Sequence, residues 1–130
     1  MEFLQPPGWV RPIGYANGVA ASGRMVFVSG MVGWDAQGVF HARDFAGQAR
    51  QALKNVAEVL AQAGARPEHI VRMNWYVLDR QEYLDARKEV GAAYREIIGR
   101  HFPAMTAVQV AALIEDCARV EIEATAVIPE

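Results

Sequence analysis

The sequence predicts an α+β domain, one mixed β-sheet with two helices on the same face, in the order β-β-α-β-α-β-β. Two segments space their apolar residues three and four apart, the period of a helix with one buried stripe. Short runs rich in β-branched and aromatic residues, bounded by Gly, Pro and Asp, supply the strands. With 130 residues, 52% of them hydrophobic, the chain has the material for a single domain over residues 1–130 and too little length for two.

Tyr15–Ala20 and Met25–Ser29 read as two strands joined through Ala21-Ser22-Gly23-Arg24 into a hairpin. Trp34–Gly38 reads as a turn, since Asp35 offers a local hydrogen bond and Gly38 a permissive backbone. Between Asp44 and Ala63, the residues Phe45, Ala49, Ala52, Leu53, Val56, Val59, Leu60 and Ala63 define an amphipathic helix, capped by Asp44 at its start and by Gly64 just past its end. Ile70–Leu78 reads as a strand. Asp79-Arg80-Gln81-Glu82 matches a capping box, and Tyr83, Ala86, Val90, Tyr94, Ile97 and Ile98 mark one face of a second helix that ends near Gly99. Past the Phe102-Pro103 break, Thr106–Ala111 and Arg119–Val127 are the last strands, separated by a polar turn region at Glu115-Asp116.

In the last strand Val120, Ile122, Ala124 and Ala126 alternate with Glu121, Glu123, Thr125 and Val127. The first set suits the helices. The second faces away with apolar neighbours such as Val108 and Val110, and a wet face of that kind is a large apolar patch on a small protein, so self-association is expected.

The 13 basic and 15 acidic side chains leave a formal net charge of −2, which draws the chain neither to nucleic acid nor to a membrane surface. The opening residues, with Pro6 and Pro7, lack the basic start and apolar run of an export signal, and no stretch is apolar enough to span a bilayer. One cysteine, Cys117, suits a reducing, cytoplasmic compartment.

Taken in order, Ile13-Gly14-Tyr15, Val28-Ser29-Gly30, the first-helix segment Gln48–Asn55, Phe102-Pro103-Ala104, Val108–Ala111 and Val120–Ala126 make the chain resemble the RidA/YjgF family of reactive-intermediate deaminases over nearly its whole length. The resemblance implies a chorismate-mutase-like protomer and a barrel-like homotrimer with a small-molecule cleft at each subunit interface. It implies hydrolysis of enamines or imines to ammonia and a keto acid, with no metal or cofactor. Where the deaminase branch carries an arginine that clamps a substrate carboxylate, this chain has Met105, and where that branch places an asparagine it has Gly91. A guanidinium grips a carboxylate through charge-assisted hydrogen bonds, whereas methionine offers an apolar wall. A simple 2-imino acid is therefore not the expected substrate.

The resemblance gives Glu121 the catalytic role of holding the attacking water, and a carboxylate in a partly buried cleft suits that task. Read from the residues alone, Glu121 is equally a solvated strand glutamate or an inter-subunit ion pair, and Glu123 on the same face competes with it. For substrate binding the candidates are Tyr15, Ser29, Gly30, Trp34, Met105 and Ala107. Tyr15 offers a ring and a hydroxyl to a planar ligand, and Gly30 permits close approach; a strand aromatic and a strand-ending turn explain them equally. Trp34 follows closely enough to wall the cleft, and Trp75 reads as core. His41, His69 and His101 lie apart, none at metal-ligand spacing. Arg72 and Arg119 could replace the missing clamp if they point into the cleft. The enzyme reading is a hydrolytic deaminase; the alternative is a non-catalytic trimer that binds a small metabolite.

Overall fold

In the computed structural model, which describes residues 1–130, the chain runs β1 (Glu2–Leu4), β2 (Gly18–Ala20), β3 (Arg24–Val32), α1 (Phe45–Gln62), β4 (Ile70–Val77), α2 (Arg80–Asp85), α3 (Arg87–Ile97), β5 (Ala104–Gln109) and β6 (Val120–Ile128). A short 3-10 turn at Pro67–His69 leads into β4. The main sheet has the order β3-β6-β4-β5, and β4/β5 is its parallel pair.

Burial follows the alternation. Met73, Trp75 and Val77 of β4 and Val120, Ile122, Ala124 and Ala126 of β6 share the face that α1 covers with Ala49, Ala52, Leu53, Val56 and Leu60. The opposite face leaves Met25, Phe27 and Val108 exposed, Phe27 by 71%. Asp44 caps α1, accepting from Gly47 N at 3.1 Å, and Gly64 follows its end at φ 75°.

The expected hairpin between Tyr15–Ala20 and Met25–Ser29 does not form. β2 pairs with β1 in a separate two-stranded sheet, and β3 takes β6 as its partner. That pairing sets Val26 and Val28 opposite Ala126 and Ala124 on the buried face, a burial that a hairpin with the short β2 does not supply. β1 has only three residues, all exposed, and carries no period to read.

The second helix is divided. Ala86, at φ −94° and ψ 4°, separates α2 from α3, and Arg87 Nε donates to Leu84 O at 3.1 Å, capping a carbonyl in the last turn of α2. Asp79 caps α2 through Gln81 N at 2.8 Å, but the capping box is only half made. Glu82 turns to Arg119 instead, because an ion pair to the start of β6 outcompetes one backbone N–H.

Candidate functional site

β5 is an edge strand, and its register decides which side chains turn toward the helices. Met105 lies opposite Met73 and Ala107 opposite Trp75, both buried beneath the helices, so Met105 and Ala107 face the α3 side. Ala16 bridges to Ala104, and its N–H donates to Pro103 O at 2.9 Å, which holds Tyr15 beside the strand. Between these residues and α3 lies a cavity of about 670 Å³, walled chiefly by Tyr15, Tyr83, Tyr94, Phe102, Met105 and Ala107.

The wall is rigid where it is aromatic. Tyr94 stacks on Phe102 with ring centroids 5.5 Å apart and donates its hydroxyl to His101 O at 2.6 Å. Burial pushes the Tyr94 phenol up, so it stays neutral. Trp75 also lines the cavity; it is 5% exposed, and its buried Nε1 has no hydrogen-bond partner. Arg87 and Arg95, both exposed on α3, complete the lining.

On the other sheet face β3 carries a bulge. Val28 pairs with Ala124 and Met31 with Ile122, so Ser29 and Gly30 together stand opposite Glu123 alone. A Cβ on Gly30 would lie 2.7 Å from Cδ and 2.9 Å from Cγ of Glu121, so the carboxylate occupies the space a side chain would fill. Ser29 lines a second cavity of about 380 Å³ with Arg72, Asn74 and Glu123. Glu123 Oε1 accepts from the Tyr76 hydroxyl at 2.6 Å and from Asn74 Nδ2 at 3.0 Å. The Tyr76 bond, with that from Asn74, holds the Glu123 carboxyl below the usual range and raises the Tyr76 phenol in return. Glu123 is thus committed to two neighbours. Glu121, half-buried, makes no side-chain hydrogen bond and is the carboxylate left available.

The sequence candidates therefore fall into two groups. Tyr15, Met105 and Ala107 line the first cavity; Ser29, Gly30 and Glu121 lie on the opposite face of the sheet. Trp34 joins neither. It bridges to Phe40, ring centroids 5.7 Å apart, and Asn55 Nδ2 donates to its carbonyl at 2.7 Å, tying the loop to α1. Neither arginine considered as a clamp lines the first cavity: Arg119 is held by Glu82, and Arg72 lies beside Glu123. Arg87 and Arg95 are the residues that sequence reading missed. The available signal was their spacing with Gly91, four residues apart on one helical face. No three His, Cys, Asp or Glu side chains converge as metal ligands; His41 pairs with Asp35 at 2.6 Å, and His101 Nε2 donates to Ile70 O.

A family model described as Endoribonuclease L-PSP matches residues 10–128. A human protein named 2-iminobutanoate/2-iminopropanoate deaminase is 34% identical over 128 residues, covering 98% of this chain and 88% of its own. A Salmonella typhimurium protein of the same name is 36% identical, covering 87% and 86%. Among solved structures, a Rid-family protein from Yersinia pestis superposes with a TM-score of 0.83 at 31% identity, covering 98% of both chains. The E. coli protein TdcF with bound serine superposes with a TM-score of 0.68 at 31% identity over 98% of this chain and 99% of its own.

Proposed function

Because the chain belongs to the RidA/YjgF family, to which the Endoribonuclease L-PSP description and the imine deaminase relatives attach, we propose that it hydrolyses a conjugated enamine or imine at a cleft completed by two copies of the chain. The supporting observation is the separation of the two residue groups. Tyr15, Met105 and Ala107 stand at the β5 edge of the sheet and Ser29 and Gly30 at the β3 edge, with Glu121 against Gly30. A closed ring of three copies, β5 of one beside β3 of the next, joins the two halves and covers Met25, Phe27 and Val108.

Glu121 then accepts a proton from water as its oxygen bonds to the imine carbon. An enamine first takes up a proton at carbon to become the imine, and the imine nitrogen takes one from solvent as water adds. The carbinolamine then collapses: its nitrogen takes the proton held by Glu121, the hydroxyl gives its proton to water, the C–N bond breaks, ammonia leaves and a carbonyl forms. Met105 and the aromatic wall favour a planar conjugated substrate over a small 2-imino acid. The lone free thiol, Cys117, suits a cytoplasmic setting.

Ammonia release from a panel of imino acids and conjugated enamines, with wild type and Glu121→Gln side by side, tests the reading, together with the mass in solution. Glu121→Gln lowers turnover and keeps the trimer. One observation favours a second reading, a trimer that binds a planar metabolite without turnover: Glu121 has no hydrogen-bonding neighbour to orient it. Undiminished turnover in Glu121→Gln removes this residue from the reaction.

A further inference from the structure

We infer that the cavity beside β5 takes a planar, apolar ligand bearing a carboxylate, and that Arg95, with Arg87 along the same helix, receives that carboxylate from the α3 side. The inference rests on reading this cavity as the substrate-binding half of the cleft. Arg87, Gly91 and Arg95 succeed one another every fourth residue, so they form one face of α3 over about 12 Å of helix axis. Gly91 leaves the middle of that face bare. A Cβ there would lie 3.4 Å from an Arg95 Nη, so the guanidinium folds back across the glycine, the direction in which helical side chains lean.

Neither cation is neutralised. The carboxylates nearby are engaged elsewhere: Glu96 pairs with Arg50 at 2.6 Å, Glu82 with Arg119, and Asp85 accepts from Gln81. Arg87 spends its Nε on Leu84 O and keeps its terminal nitrogens. No Asp or Glu lines the cavity. A concave apolar site with unpaired guanidinium groups at its margin attracts an anion and orients it, since the low-dielectric wall strengthens the charge-assisted bond.

Trp75, only 5% exposed, lines this cavity from the sheet side and adds a flat apolar surface to its wall. The remaining walls carry too few polar groups for a sugar or a polyol, which leaves a conjugated or aromatic acid as the chemical class.

The test uses 2,4-hexadienoate and its neutral amide as probes, titrated calorimetrically into wild type, Arg95→Gln and Arg87→Gln. Wild type binds the acid at least about tenfold more tightly than the amide; Arg95→Gln loses that preference and Arg87→Gln lowers it by less. Equal binding of acid and amide by wild type, no binding of either, or an undiminished preference in Arg95→Gln overturns the inference. Arg95 is exposed and makes no hydrogen bond, so Arg95→Gln keeps the wild-type thermal midpoint, whereas Arg87→Gln gives up the bond to Leu84 O and lowers the midpoint by a few degrees at most. Binding needs no turnover, which separates the two readings. An acid preference with no ammonia release leaves the anchor standing without the hydrolase, and ammonia release with an unchanged Arg95→Gln preference does the reverse.

Discussion

Gly30→Ala isolates Glu121 without touching its charge. The new methyl group would sit 2.7 Å from Cδ and 2.9 Å from Cγ of Glu121, well inside the roughly 3.5 to 4.0 Å at which carbon atoms rest. The obstructing group is a half-buried side chain with rotatable bonds and no hydrogen bond to break. It swings away at a cost of one unfavourable rotamer, about 0.5–1.5 kcal/mol. The fold therefore survives while the carboxylate leaves its place, and turnover falls by about two to four decades, as for Glu121→Gln. Gly33→Ala is the control. Its Cβ would lie 2.7 Å from the Cα, Cβ and backbone O of Gln48, in the body of α1, where no side chain can swing aside. That overlap costs about 1–3 kcal/mol of stability through displacement of the helix. Urea unfolding and ammonia release, measured on both variants and on the Gly30→Ala/Glu121→Gln pair, check the reasoning. Undiminished turnover in Gly30→Ala, or a stability loss as large as that of Gly33→Ala, refutes it; in the double variant the two activity losses do not add.

If the site is shared, Glu121→Gln and Ala107→Trp, each inactive alone, regain about a quarter of wild-type turnover when dissociated and reassembled in equal amounts, since one interface in four then pairs two intact halves; no recovery places the site within one chain. Gln48 is 1% exposed and satisfies three backbone groups, donating to Ala42 O and Cys117 O and accepting from Arg119 N. Gln48→Ala is expected to cost about 3 kcal/mol in chemical denaturation, and a loss under about 1 kcal/mol shows those groups find water instead. Tyr76→Phe removes the larger cause of the lowered Glu123 pKa. A depressed carboxylate stabilises the fold above its unfolded value, about 4.3, and that contribution disappears as pH falls through the lower folded value. The gap in urea midpoint between wild type and Tyr76→Phe is thus widest near neutrality and closes on acidification; a gap independent of pH contradicts the assignment.

The sequence alone determined α1 with both of its caps, Asp44 and Gly64, and the two faces of β6. A helical stripe, a capping oxygen and a strand alternation involve residues only a few positions apart. The family could be read from short motifs in order, and with it the identity of Glu121, Tyr15, Ser29, Gly30, Met105 and Ala107 as candidates. Only the tertiary structure decided that β3 pairs with β6 across some hundred residues rather than with its neighbour in the chain. The same distant pairing opened the bulge at Ser29-Gly30, seated Glu121 over the glycine and turned Met105 toward the helices through its register with Met73. Glu82 reads locally as half of a capping box, yet it joins Arg119, which lies 37 residues away. Arg87 and Arg95 came into view only once α3 lay along a cavity. Local pattern states which side chains share a face, but which two faces meet is settled by the burial and charge pairing available across the whole chain, and in those contacts the candidate residues divide between the two faces of the sheet.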